Sequence, residues 1–140
     1  MRQSAGFEVL EHTADLGVRA WGATGPEAFE QAARGLSEIM GVRLPGPGER
    51  QLVKASAGDA AALLVAFLNE LLWLHETASV GFAEVDVIAL SDTSVVADVE
   101  VVPLPEPPPA GLAVKAATYH QVAVDRRPGE DVEIRVFLDV

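Results

Sequence analysis

The strongest constraint on this fold lies between Ala60 and Glu76. Leu63, Leu64, Phe67, Leu68, Leu71, Leu72 and Leu74 recur there at helical spacing and cover more than one face. A surface helix carries a narrower apolar stripe with a charged face opposite. A stripe this wide needs apolar neighbours around much of the helix, so the spacing predicts a helix packed across a sheet. Asp59 after Gly58 supplies its N-cap. Asn69-Glu70 interrupts the run, and Ala60 to Leu74 falls short of the roughly 20 residues a bilayer requires.

An earlier helix is equally well marked. Thr24 and Glu27 have capping-box spacing, and Pro26 is tolerated in a first turn. Phe29, Ala32, Ala33, Leu36, Ile39 and Met40 form one apolar face, with Glu30, Gln31, Arg34 and Glu38 on the other, and Gly41 is placed to end the helix. Strand patterns cover Phe7 to Leu10, Leu16 to Trp21 and Gln51 to Ala55. Gly81 to Ala89 and Ser94 to Val102 read as a hairpin turning at Ser91-Asp92-Thr93, and Leu112 to Val124 with Val132 to Leu138 as a second. Val42 to Glu49, with two prolines and two glycines, and Pro103 to Pro109, with five prolines in seven residues, are expected as loops. The expected class is α+β, a single domain over residues 1–140, with both helices on one face of a mostly antiparallel sheet.

Charge and composition exclude several functions. Ten Lys and Arg against 21 Asp and Glu give a net charge of −11. Non-specific nucleic-acid binding needs a basic footprint, so none is expected; a cation or a basic partner protein suits the surface better. The absence of cysteine excludes disulfides, thiolate metal sites and thiol catalysis. No apolar signal core follows Met1, so a soluble cytoplasmic protein without membrane association is expected. The phosphate-loop, HExxH and GxSxG patterns are all missing.

Three stretches compete to carry chemistry. His12-Thr13-Ala14-Asp15-Leu16-Gly17 places Asp15 in, or at the exit of, a tight connection between two strands. It reads either as an Asx-turn or as a presented carboxylate. At the other end, Asp139 and the main-chain carboxylate of Val140 lie within one residue of each other at the end of a strand. They are a polar chain end or, joined by Asp15, an all-oxygen site for Mg²⁺, Ca²⁺ or Mn²⁺. Third, Val114 to His120 read as a strand places Lys115 and Tyr119 on one face, suited to a phosphate or a partner's carboxylate, or simply solvated. His12, His75 and His120 fall in separate elements without ligand spacing. Trp21 and Trp73 read as core or interface aromatics, and Glu70 as a rim residue or one paired to a cation.

The motifs together resemble the archease family. His12 to Gly17 is similar to its HTADIG signature and Thr24 with Glu27-Ala28-Phe29 to the start of its first helix. Asn69 to Leu74 resembles NELLYL, Lys115 to His120 resembles KAVTYH, and Leu138-Asp139-Val140 resembles the terminal L-D-I. The resemblance implies a small α+β accessory protein, not itself an enzyme, of the GTP- and Mn²⁺-dependent RtcB-type RNA ligase in tRNA splicing and RNA repair. It implies promotion of ligase guanylylation and multiple turnover, and a divalent ion held by Asp15, Asp139 and the carboxylate of Val140. His12 would then be supporting or structural. The proline-rich Pro103 to Gly111 departs from the longer, His-containing segment usual in that family. A stand-alone metal-dependent phosphoesterase and a metal-free acidic adaptor are the alternatives.

Overall fold

The first helix forms where its caps predict. In a computed structural model, which describes residues 4–11, 16–126 and 131–140, α1 spans Gly25–Met40. Thr24 is extended and its hydroxyl accepts the Glu27 N–H at 3.3 Å. The Glu27 carboxylate reaches back to the Ala23 N–H at 2.7 Å, so both partners of the capping box find orphan donors. At the far end Gly41 takes φ 70°; its N–H donates to Glu38 O and the Val42 N–H to Ser37 O. That pair of bonds is a Schellman closure, which needs a left-handed residue and hence favours glycine.

The second helix, α2 (Ala60–Ala78), starts at Asp59, whose side chain accepts the Ala62 N–H at 2.8 Å. At 19 residues it is longer than the apolar run suggests, and by length and composition alone could cross a membrane. Its packing is that of a core helix: Leu63, Leu64, Val65, Phe67, Leu68, Leu71, Leu72 and Leu74 are all buried.

Seven strands complete the fold: β1 (Gly6–Glu11), β2 (Leu16–Gly22), β3 (Glu49–Ser56), β4 (Val80–Leu90), β5 (Ser94–Pro103), β6 (Ala116–Arg126) and β7 (Val132–Asp139). All pair antiparallel, as the α+β reading requires, but in two sheets where one was expected. The first runs β1-β2-β7-β6 and the second β3-β5-β4. Both helices touch both sheets: α1 lies on β1, β2 and β7 and on β4, and α2 on β6 and on β3, β4 and β5. The reason is the apolar circumference of α2, which one sheet face cannot cover.

The core fills from both sides of the helices. In the first sheet Val18, Ala20, Ile134, Val136 and Leu138 face inward, with Val18 opposite Val136 and Ala20 opposite Ile134. In the second, Val95, Ala97, Val99 and Val101 alternate inward along β5. Phe29 of α1 and Phe67 of α2 meet between them with ring centres 5.9 Å apart. A Cβ at Gly35 would lie 3.0 Å from Val18 and 3.1 Å from Phe7, so its absence lets α1 approach the first sheet closely.

β6 begins at Ala116 rather than Leu112, because the Leu112 N–H is taken by Ile39 O at the end of α1.

Candidate functional site

The ladder between β2 and β7 ends at Leu16 and Leu138. Those residues stand next along the chain to Asp15 and Asp139. His12 and Asp15 lie outside the described residues. What can be built from described residues is the end of the first sheet around Asp139 and Val140.

Asp139 pairs with Ala116, and its carbonyl accepts the Lys115 N–H at 2.8 Å. The final residues are thus held to a neighbouring strand. The Asp139 side chain is exposed and, among the described residues, has neither a hydrogen bond nor an ion pair. Lys115 is exposed and forms no ion pair with it. Val140 is 48% exposed. Phe137 is buried on the outer face of the sheet, over Gly17 of β2, where a Cβ would come within 2.9 Å of its ring.

β6 is an edge strand, and α2 closes part of that edge. The Asn69 side chain accepts the Ala117 N–H at 2.8 Å and donates to the Ala117 carbonyl at 3.3 Å. One amide therefore does what a further strand would do for a buried residue.

Beyond Thr118 the edge changes form. Thr118 pairs with Phe137 and the next regular pair is Ala123 with Arg135, so residues 119–122 oppose Val136 alone. Gln121 sits at φ 51°. The bulge is pinned: Thr118 Oγ1 donates to Phe137 O at 3.1 Å and accepts the His120 N–H at 3.3 Å, and Arg135 Nε donates to Gln121 O at 3.2 Å. The His120 ring stands edge-on to Phe137 at 5.9 Å. Tyr119 is 68% exposed. The strand reading of Lys115 and Tyr119 on one face therefore fails at Tyr119, which belongs to the bulge.

The remaining candidates separate. The His75 Nδ1 lies 2.7 Å from Val80 O, a contact that ties α2 to β4. Among the described residues no three His, Cys, Asp or Glu side chains come together to hold a metal. Glu70 is exposed and, among the described residues, unpaired, as a rim residue is. Trp21 is core, whereas Trp73 is 62% exposed. A groove of about 630 Å³ collects Arg19, Arg34 and Arg43. Arg19 is spent there on Glu133 (2.7 Å) and Glu8 (2.9 Å), and Arg43 on Glu38 (2.9 Å). The Glu133 and Glu8 carboxylates hold the Arg19 guanidinium even more firmly protonated than usual. One carboxylate went unnoticed in the sequence. Glu30, placed on the polar side of α1, accepts the Val87 N–H at 2.7 Å; burial pushes its pKa up, against that hydrogen bond.

The donors match the chemistry of a hard divalent ion in part. Asp139 offers an oxygen ligand that is unpaired among the described residues.

Comparison with known proteins agrees with the motifs. The model of the archease protein family matches residues 7–140. Protein archease of Thermococcus kodakarensis is 38% identical over 127 residues, covering 87% of this chain and 89% of that protein. Protein archease of Thermococcus gammatolerans is 39% identical over 128 residues, with the same coverage. Among solved structures, protein 1598 of Methanobacterium thermoautotrophicum superposes with a TM-score of 0.78 at 30% identity, covering 96% of this chain and 99% of that one. An archease from Thermotoga maritima, described as a possible chaperone, shares the fold at a TM-score of 0.65 and 21% identity.

Proposed function

Because this chain belongs to the archease family, we propose that it is an accessory protein of the GTP-dependent RtcB-type RNA ligase, acting in tRNA splicing and RNA repair. In this reading it promotes guanylylation of the ligase and so makes it turn over repeatedly. It is not itself the catalyst, and it works in the cytoplasm. Asp15, Asp139 and the main-chain carboxylate of Val140 hold a divalent ion, Ca²⁺, Mg²⁺ or Mn²⁺.

The observation that carries the reading is the register of β2 and β7. Leu16 lies opposite Leu138; in the sequence Asp15 precedes Leu16 and Asp139 follows Leu138. Carboxylates brought together repel unless a cation lies between them. The Lys115 N–H bond to the Asp139 carbonyl and the Asn69 clamp on Ala117 hold this end of the sheet in place. A bound ion would supply charge neutralisation and a fixed point for oxygen ligands. The chain's own residues orient the carboxylates and present an acidic face to a basic, nucleotide-loaded partner. With a charge of −11 the protein has no footprint for holding RNA itself.

The test is formation of the covalent guanylylated ligase from labelled GTP, with and without the protein. A faster rise with wild type and a lost effect with Asp139→Ala support the proposal; an unchanged rate with wild type refutes it. Calorimetric titration of Ca²⁺, Mg²⁺ and Mn²⁺ separates the metal site from a metal-free acidic adaptor, which would show no isotherm sensitive to Asp139→Ala. Adding residues after Val140 removes its free carboxylate and is expected to weaken that isotherm.

A further inference from the structure

We propose that the β6 bulge, residues 119–122, is the contact surface for the protein's basic partner, with Tyr119 as its anchor. The inference rests on the accessory-protein reading above and adds to it the surface that docks.

The bulge is built, not a lapse in pairing. Four residues oppose one, a glutamine is held at φ 51°, and three hydrogen bonds fix the distortion in place. Non-glycine residues at positive φ persist where the surrounding structure forces them, and such positions concentrate at functional sites. Bulges likewise re-aim side chains beside sites.

Edge protection alone does not explain this one. Distorting the strand would block pairing with another chain, and a lysine or proline would serve as the exposed residue. Here Tyr119, His120 and Gln121 are exposed, and the tyrosine has a larger exposed fraction than any other large hydrophobic side chain among the described residues. Tyrosine joins large apolar area to a polar tip and few rotatable bonds, and it is enriched at the energetic centres of interfaces. Among the described residues the Tyr119 phenol has no partner.

Position and charge select the occupant. The bulge follows directly on the residues that pair with the Asp139 end of β7. A partner reaching Asp139 therefore meets Tyr119 on the same sheet end. The chain's −11 charge repels RNA and favours a basic protein surface. The expected partner surface is cationic around the carboxylates, with an apolar socket for the phenol ring beside it.

The test is the affinity of the wild type, Tyr119→Ala, Tyr119→Phe and Trp73→Ala proteins for the ligase, measured by calorimetry, with thermal midpoints alongside. Tyr119→Ala is expected to weaken binding about 30-fold or more with an unchanged midpoint, because its side chain is exposed. Tyr119→Phe should stay within about threefold and Trp73→Ala within about twofold. Binding by Tyr119→Ala equal to wild type overturns the inference and leaves the accessory function standing. No binding by wild type overturns both. A wild-type dimer dissolved by Tyr119→Ala, or RNA retention lost in that variant, gives the bulge another occupant and overturns the inference as well.

Discussion

Asn69→Ala is the sharpest test of how the candidate site is held. The substitution deletes both bonds from α2 to Ala117, at 2.8 and 3.3 Å. Ala117 is only 4% exposed, so its N–H and carbonyl lose partners in a place where water enters poorly. Each net hydrogen bond is worth about 1 kcal/mol, and a buried group left unsatisfied costs about 1–3 kcal/mol. Asn69 itself is half-buried, which admits some water and favours the lower end, about 2 kcal/mol in total. For a chain of this length that corresponds to a fall of roughly 7 °C in Tm. Urea unfolding gives the energy, and amide exchange locates it. The Ala117 amide should lose protection first, followed by the Lys115 amide that donates to Asp139 O. Asn69→Asp separates the two bonds. A carboxylate still accepts the Ala117 N–H but cannot donate to the carbonyl, so it should recover part of the loss. A variant within about 0.5 kcal/mol of wild type, near the error of such comparisons, or a wild-type Ala117 amide that exchanges freely, would refute the reasoning.

Other perturbations follow from the same geometry. Burial raises the Glu30 pKa, so the folded state binds that proton more tightly than the unfolded chain, and the strain of its charge is greatest above the folded pKa. Glu30→Gln, which still accepts the Val87 N–H, should therefore be most favourable relative to wild type near neutral pH. That advantage should shrink as pH falls toward about 4.3, the ordinary glutamate value, as read by urea melts across pH. Gly41→Ala forces a side chain onto φ 70° with a Gly111 backbone nitrogen 3.2 Å away, and should cost about 1–2 kcal/mol in the same assay. On the outer face of the second sheet Glu84 lies directly opposite Glu100. Glu84→Gln should therefore stabilise by about 0.3 kcal/mol, an effect that fades as salt is raised in a thermal melt.

Much of this fold is written in local signals. Thr24 and Glu27, Gly41 and Asp59 mark helix ends through bonds made within a few residues, so their meaning survives without tertiary context. The alternation of Val95, Ala97, Val99 and Val101 does the same for β5. The division into two sheets was not legible. It depends on which strands α1 and α2 bring together, and the width of the α2 stripe says only that the helix is surrounded. The last turn of α2 was not legible either, since Thr77 and Ala78 add no large apolar residue to the stripe and Ser79 closes the helix in a left-handed conformation without the usual glycine. At the candidate site Asp139 could be placed at a strand end from sequence, and Asp15 beside a strand start, because both border apolar runs. The bulge could not: Tyr119 to Val122 reads as ordinary strand, and its geometry comes from Arg135 and Phe137 across the sheet. Asn69 had one visible sign, a polar residue inside an apolar helix, but its partner lies 48 residues away.

In the proposed function this acidic protein activates a ligase through the carboxylates at the end of the first sheet. The most direct measurement is RNA joining by the RtcB-type ligase with substrate well above enzyme, alone and with wild type, Asp15→Ala or Asp139→Ala protein. Repeated turnover is expected with wild type and a single round with either variant. Turnover raised equally by all three proteins would contradict the carboxylate site, and no rise with wild type would contradict the activating function itself.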